Sequence, residues 1–428
     1  MLKPASAESE KAILVGLALT AAEKAEVEES LEELAGLARA AGAAVLDRVY
    51  QVRPRPNPRF LIGQGKVEEV VRRKGELGAD LVIFDRGLSP GQQKSLEDRL
   101  KVKVIDRTQL ILDIFAQRAR SNEGKLQVEL AQLSYRLPRL VGKGKALSQL
   151  GAGIGTRGPG EKKLEVDRRR ITDRIARIKK EIQRVQERRD RQRSTRRGSP
   201  IPVASLVGYT NAGKSTLFNR LSREHALASP QLFATLDPVL RRVSYPDGAY
   251  FFLSDTVGFI KKLPVELVSA FRGTLEEIRE ADIILHVVDA ASPFADSQEE
   301  SVDAVLEDLD VRDVPILKVF NKIDLCPDRA ERLALNPSAG PRAVSVSART
   351  GEGIGDLKAK IRALLFGHLK IFYLRIPKAE ADRAASLAKW TLVLSRRSRQ
   401  DATDLKVLAD PRAMLDFMPY LLREEPTW

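Results

Sequence analysis

Gly208-Tyr-Thr-Asn-Ala-Gly-Lys-Ser-Thr216 lies between an apolar run and a helical stretch and has the form G-x-x-x-x-G-K-[ST] of a loop that cradles phosphates. Upstream, Ile201-Pro-Val-Ala-Ser-Leu-Val207 has the composition of a buried strand, and a helix is expected to open at Ser215. Gly208, Tyr209, Thr210, Asn211, Ala212 and Gly213 are the expected cradle, followed by Lys214, Ser215 and Thr216. The N–H groups from Asn211 to Lys214 are expected to face the phosphates, with the helix dipole behind them. Lys214 belongs on the β- and γ-phosphates as a catalytic group, and the Ser215 hydroxyl on Mg²⁺.

Three further motifs follow in order, each after an apolar run. Asp255, Thr256, Val257 and Gly258 end the run Tyr250-Phe-Phe-Leu253, which places a carboxylate beside the metal, through a water, and Gly258 where the γ-phosphate is sensed. Asn321, Lys322 and Asp324 follow Val314–Phe320. The Asp324 carboxylate accepts hydrogen bonds from N1–H and the exocyclic amine of guanine, whereas adenine presents an acceptor at N1. Ser347, Ala348 and Arg349 follow a short strand over Ala343–Val346, in position to give a backbone N–H to the guanine oxygen. Four motifs at successive strand ends predict an α/β P-loop nucleotide domain that binds GTP and GDP.

On these motifs the chain resembles the translation-factor-related class of regulatory GTPases. Phe233-Ala-Thr-Leu-Asp-Pro238, Asp255-Thr-Val-Gly-Phe-Ile260, Leu263-Pro264 and Thr274-Leu-Glu-Glu277 are similar to the HflX family of ribosome-associated GTPases. The resemblance implies that Thr235, with Phe233 and Ala234, closes on Mg²⁺ and the γ-phosphate as a catalytic switch. Val239-Leu240 departs from the hydroxyl residues common in the family. Gly153-Ile-Gly-Thr-Arg-Gly-Pro-Gly-Glu161 resembles the tip of the HflX hairpin, which implies insertion near the peptidyl-transferase centre of the large ribosomal subunit. The implied duty is dissociation of stalled ribosomes into subunits, or late subunit assembly.

Phe259 occupies the position after Gly258, where Ras-like proteins keep a water-orienting glutamine, and it has no hydrogen-bonding side chain. Slow intrinsic hydrolysis is expected, with help from a partner, a backbone-held water or a monovalent cation. Asn211 matches the asparagine that coordinates K⁺ in related GTPases with a hydrophobic residue at the glutamine position; stabilising the loop turn is the alternative role.

Charge is localised. Residues 118–197 hold 24 Lys and Arg against 9 Asp and Glu, a net +15, so the rest of the chain carries −1 of the total +14. Such an excess favours phosphate contact. Leu126, Leu130, Leu133, Leu137 and Leu140, and later Leu164, Ile171, Ile175, Ile178, Ile182 and Val185, recur at heptad spacing, which predicts an antiparallel helical hairpin with Pro138 ending or kinking its first arm. A second arm of roughly 30 residues would be on the order of 45 Å long. Between the arms lie five glycines in the ten residues Gly151–Gly160. Arg157, Lys162, Lys163, Arg168, Arg169, Arg174 and Arg177 are the expected RNA contacts, with large-subunit rRNA the partner that the resemblance implies.

The expected organisation is 1–117, a small α/β domain with strands over Ala12–Leu17, Ala44–Val52, Leu81–Asp85 and Val102–Asp106; 118–198, the hairpin; 199–366, the P-loop GTPase domain; and 367–428, a small α+β, ferredoxin-like domain with a helix over Pro411–Leu421. Arg53-Pro-Arg-Pro-Asn-Pro58 makes a stiff extended loop before Gly63-Gln-Gly-Lys66, which lacks the full phosphate-loop spacing. The single cysteine, Cys326, excludes an intramolecular disulfide and fits a cytoplasmic protein; three scattered histidines leave no zinc motif; Ala12–Leu19 is too short to span a bilayer. A monomer is expected. Two rivals remain open on the sequence, a GTP-dependent tRNA-modification partner and an ATP-dependent RNA remodelling enzyme working through the amino-terminal domain.

Overall fold

The computed structural model describes residues 9–140, 159–196, 201–222, 239–255, 258–259, 278–311, 314–326 and 342–422. They divide into two compact units, one ending at Arg184 and the other beginning at Val185.

The first unit is built on β1 (Lys11–Ala18), β2 (Ala44–Val52), β3 (Leu81–Phe84) and β4 (Lys103–Asp106), all parallel, in the order β2-β1-β3-β4. β1 and β3 are continuous apolar runs because a parallel sheet is covered on both faces. The crossovers are α1 (Lys24–Ala40), α2 (Gln64–Leu77) and α3 (Pro90–Leu100). Ser89 and Gln92 form a reciprocal capping box ahead of α3, and Pro90 presets its first turn.

One helix, α4 (Arg107–Arg118), has no counterpart in the elements expected from sequence. Asp106 caps it by accepting the Gln109 N–H at 2.9 Å, and the same carboxylate accepts the Leu88 N–H at 2.9 Å and the Tyr135 hydroxyl at 2.7 Å. Tyr135 belongs to α5 (Asn122–Leu140), the first arm of the basic element. The buried face of α5 is therefore Gly124, Val128, Ala131 and Tyr135, packed beside α4, whereas the leucine stripe from Leu126 to Leu140 is half-buried. Pro138 sits inside the last described turn of α5, which continues to Leu140.

α6 (Pro159–Arg196) has 38 residues and so runs for about 57 Å. Ile178 and Ile182 are buried, and the Arg174 guanidinium donates to both Glu129 oxygens, at 2.7 and 2.8 Å, joining α6 to α5. The glycine-rich tip up to Gly158 lies outside the described residues.

In the second unit β5 (Val203–Gly208), β6 (Val239–Ser244), β7 (Tyr250–Asp255), β8 (Ile283–Asp289), β9 (Ile316–Asn321) and β10 (Ala343–Ser345) form one sheet in the order β10-β9-β8-β5-β7-β6. Only β6 is antiparallel to its neighbour. Among the described residues α7 (Lys214–Ser222), α8 (Ala295–Asp308) and α9 (Ile354–Phe366) belong to this domain, and Leu206, Leu253, Leu285 and Leu317 lie in its core. The central β5 is flanked by β7 on one side and β8 on the other, so the crevice at its carboxyl end is the topological switch point where ligands of such sheets bind.

Downstream, β11 (Lys370–Pro377), α10 (Ala381–Trp390), β12 (Leu392–Ser398) and β13 (Ala402–Ala409) make a split β-α-β sheet with β13 in the centre, the ferredoxin-like arrangement. The helix expected over Pro411–Leu421 is a 3₁₀ helix over Pro411–Tyr420. Its three-residue period puts Met414, Phe417 and Tyr420 on the sheet together. Leu392 and Leu408 of this sheet belong to the core of the nucleotide domain, which fixes the two against each other.

His286, in the middle of β8, is 1 % exposed. Its Nδ1 has no hydrogen-bond partner among the described residues and lies 3.8 Å from Asp303. Burial, reinforced by the positive charges of Lys318 and Lys214, pushes this imidazole down to about 4. The unfolded chain binds the proton near pH 6.5 and the folded chain only near pH 4, so stability is complete above pH 6.5 and falls as pH drops through that window, by up to about 3 kcal/mol. Urea unfolding followed between pH 7 and pH 4 should show this loss, and His286→Gln should flatten that component of the curve.

Candidate nucleotide site

The phosphate end of the site is a set of backbone constraints at the close of β5. Gly208 has φ +151°, and a Cβ there would lie 2.3 Å from the Val287 carbonyl oxygen of β8, so no side chain fits. At Gly213, φ +94°, a Cβ would lie 2.2 Å from Asn321 Nδ2. Between them Asn211 adopts the left-handed conformation, φ +63°, which asparagine tolerates better than most residues, and its side chain is exposed.

Lys214 opens α7 and is 7 % exposed. Its Nζ donates to the carbonyls of Gly208, 2.8 Å, and Tyr209, 2.7 Å. Burial lowers the ammonium to about 8 against the opposing pull of Asp255. Ser215 Oγ lies 3.3 Å from Asp255 Oδ2 at the end of β7, so a hydroxyl and a carboxylate meet beside the lysine. Gly258 closes the far side, where a Cβ would come within 2.9 Å of Lys214 Nζ. The next residue, Phe259, pairs with the loop as a short parallel bridge: Thr210 N–H donates to its carbonyl at 2.7 Å, and its own N–H to Gly208 O at 3.1 Å. Its ring is buried, 2 % exposed, in keeping with a residue that shapes the loop and orients no water.

The base end is assembled around Asn321, the last residue of β9. Its Nδ2 donates to Ala212 O at 2.8 Å, and its Oδ1 accepts the Ala348 N–H at 2.9 Å. Ser347 Oγ accepts the Thr350 N–H at 3.0 Å, and the Ser347 N–H is bound to Glu352 O. Lys322, left-handed at φ +64°, reaches back to Asp289 Oδ2 at 2.6 Å. Asp324 is exposed in the short 3₁₀ turn Ile323–Leu325. Arg349 is exposed and Thr216 lies on the exposed side of α7.

The structure thus gathers Gly208 to Ser215, Asp255, Gly258, Asn321 and Ala348 in one crevice. Phe233, Ala234, Thr235, Thr256, Val257 and Arg157 lie outside the described residues. Lys162 and Lys163 fall in the opening turns of α6, and Arg168, Arg169 and Arg177 are exposed along it. Arg174, expected to contact RNA, is engaged by Glu129.

Sequence reasoning missed two residues. Asp289 ends the buried run of β8, a signal that a strand-end carboxylate could have supplied. Arg220 carried none: from the second turn of α7 its guanidinium donates to Ala348 O, 3.1 Å, and to Arg349 O, a contact 128 positions away along the chain.

Three family models match in series: GTP-binding GTPase N-terminal over 28–116, GTP-binding GTPase middle region over 118–196, and 50S ribosome-binding GTPase over 203–322. GTPase HflX of Caldanaerobacter subterraneus subsp. tengcongensis is 48 % identical over 370 residues, 86 % of this chain and 84 % of the relative. The chain belongs to the GTPase HflX family. The HflX relative of Escherichia coli K12 is 46 % identical over 82 % of this chain and 83 % of its own length. Among solved structures, the SsGBP and GDP complex aligns with a TM-score of 0.50 at 26 % identity, covering 83 % of this chain and 98 % of that one. As an HflX protein the chain is a GTPase that binds GTP and GDP. Among the described residues no helix is long and apolar enough to cross a membrane, and no cluster of three or more His, Cys, Asp or Glu is placed to hold a metal.

Arg220 ties the helix that starts at the phosphate loop to the loop at the base end. Arg220→Ala should weaken GDP binding roughly tenfold, the scale of one or two lost hydrogen bonds to a charged donor, with thermal stability little changed. Equilibrium titration with a fluorescent GDP analogue checks this, and an unaltered Kd would show that the loop holds its place without the arginine.

Proposed function

We propose that this HflX GTPase binds the large ribosomal subunit through its rRNA and, in the GTP state, dissociates stalled ribosomes into subunits. The observation that carries the reading is α6: a 38-residue helix, in a stretch of net charge +15, with Arg168, Arg169 and Arg177 exposed. Cations displayed along a rigid rod fit a track of phosphates, and each one engaged releases counterions. The glycine-rich sequence Gly151–Gly160, expected as the hairpin tip, has a composition that lets backbone approach another molecule closely. The family model described as a 50S ribosome-binding GTPase supports the choice of subunit. The chain acts as a monomer in the cytoplasm in this reading.

At the nucleotide, Lys214 exchanges two carbonyl oxygens for the β- and γ-phosphates, and the negative charge restores the proton affinity that burial has lowered. Gly208 to Thr216 cradle the phosphates, Gly258 and Thr235 sense the γ-phosphate with Phe233, Ala234, Thr256 and Val257 around them, and Asn321, Lys322, Asp324 and Ser347–Arg349 hold guanine. Ser215 and Asp255 are oxygen donors of the kind Mg²⁺ takes; bound there it offsets the charge of the phosphate oxygens. Since Phe259 is buried, Asn211 provides for K⁺ beside the phosphates, a role that its exposed, left-handed position at the loop apex supports.

The ribosome reading predicts that Arg168→Ala, Arg169→Ala and Arg177→Ala together lower the slope of log affinity against log salt by roughly two to three, with GTP affinity intact. Cosedimentation with isolated subunits measures it, and equal slopes would reduce α6 to scaffolding. The same assay run with GDP and with a non-hydrolysable GTP analogue should show tighter large-subunit binding in the analogue. Turnover should be faster in K⁺ than in Na⁺, and Asn211→Ala should abolish the difference; equal wild-type rates would remove the cation role.

A further inference from the structure

Ten arginines lie between Arg39 and Arg107. Seven of them are ion-paired with carboxylates of the same unit, from the surface pair of Arg39 with Glu32 to the buried pair of Arg107 with Asp85. The other three, Arg53, Arg55 and Arg59, share one loop. Among the described residues, none of these three has a carboxylate oxygen within 4.0 Å. A surface placed only for solubility mixes signs, as the other seven arginines between Arg39 and Arg107 and their carboxylates do. Here the pairing stops at one place.

The loop is also held rigid. Pro54, Pro56 and Pro58 fix their own φ angles. Asn57 and Leu61 exchange backbone hydrogen bonds of 2.8 and 2.9 Å, and Asn57 Oδ1 accepts the N–H groups of Arg59 and Phe60 at 2.8 and 3.0 Å. Gln92 of α3 donates to Asn57 O at 3.0 Å. Leu61 is buried at φ +67°, a conformation costly for a leucine and kept only because the surroundings impose it. Arg53 Nε donates to Arg55 O at 2.7 Å, and the Arg59 guanidinium stands over the Phe60 ring at 5.0 Å. A Cβ on Gly63, the residue capping α2, would fall 2.9 Å from Arg53 Nη1, so this cation sits at the positive end of a helix. Folding alone gives no reason to collect like charge there.

We infer that Arg53, Arg55 and Arg59 form a second, preorganised phosphate-binding surface for RNA, separate from the α6 face. Guanidinium groups carried on a rigid backbone, two of them held by contacts of their own, give phosphate bidentate hydrogen bonds with less ordering left to do on binding. The choice of RNA over an acidic protein rests on the ribosome-binding reading above.

The test compares two triple variants of the full chain. Arg53→Ala, Arg55→Ala and Arg59→Ala remove the unpaired set; Arg39→Ala, Arg72→Ala and Arg99→Ala remove the same charge from paired positions. Cosedimentation with large subunits between 50 and 200 mM KCl should give the loop triple a salt slope lower by roughly two to three and leave the paired triple near wild type, with the KM for GTP unchanged in both. Equal slopes for the loop triple and wild type, or equal losses in both triples, would overturn the inference. Lower affinity with an undiminished slope would mean that the loop meets a protein, and overturns it too. Anisotropy with a single-stranded RNA oligonucleotide separates the two readings: ribosome binding absent while the loop triple still loses RNA affinity sinks the ribosomal function and keeps the surface.

Discussion

The nucleotide site depends on one carboxamide. Asn321 donates to the phosphate loop at Ala212 and accepts from the base loop at Ala348, so a single planar group sets the distance between the two loops of the candidate site. The approach is possible because Gly213 has no Cβ; any side chain there would occupy the position of Asn321 Nδ2. Gly208 meets the same constraint at the neighbouring strand, where the loop leaves β5 against the backbone of β8. Arg220 adds a second brace to the base loop, from the helix that begins at Lys214. Phosphate and base recognition are therefore mechanically linked through side chains far apart in the chain.

The same economy appears in the first unit. Asp106 caps α4, receives the Leu88 amide and binds the Tyr135 hydroxyl, so one carboxylate fastens the first arm of the basic element to the parallel sheet. That explains why the conspicuous leucine stripe of α5 is only half-buried. The spacing was legible, but an amphipathic helix with a second, smaller-residue face has two candidate interiors, and the better hydrogen-bonded one wins. Pro138 was likewise an uncertain boundary marker, because a helix can carry a proline through its last turn when the lost bond lies near the end.

Charge follows a division that composition could only outline. The excess of cations between residues 118 and 197 was countable, but the rod that displays them has 38 residues where roughly 30 were expected. Which cations are available was not. Arg174 looks no different from its neighbours in sequence, yet Glu129 claims it across 45 positions. Conversely, nothing in an arginine-rich sequence sets Arg53, Arg55 and Arg59 apart; the ion pairs of the other seven arginines between Arg39 and Arg107 do.

The sequence by itself determined the class of fold, the order of the nucleotide motifs, the preference for guanine and the site of the net charge. These depend on local periodicity and on residue types at fixed spacing, which survive without coordinates. Only the tertiary structure decided that Asn321 joins the two loops of the candidate site, that Arg220 braces the base loop, that His286 is shut away in the middle of β8, and which arginines between Arg39 and Arg107 remain unmatched. Each is a meeting of segments distant in the chain, and hydrogen bonds and ion pairs act through space over a few ångströms, so their partners are chosen by packing and not by position in the sequence.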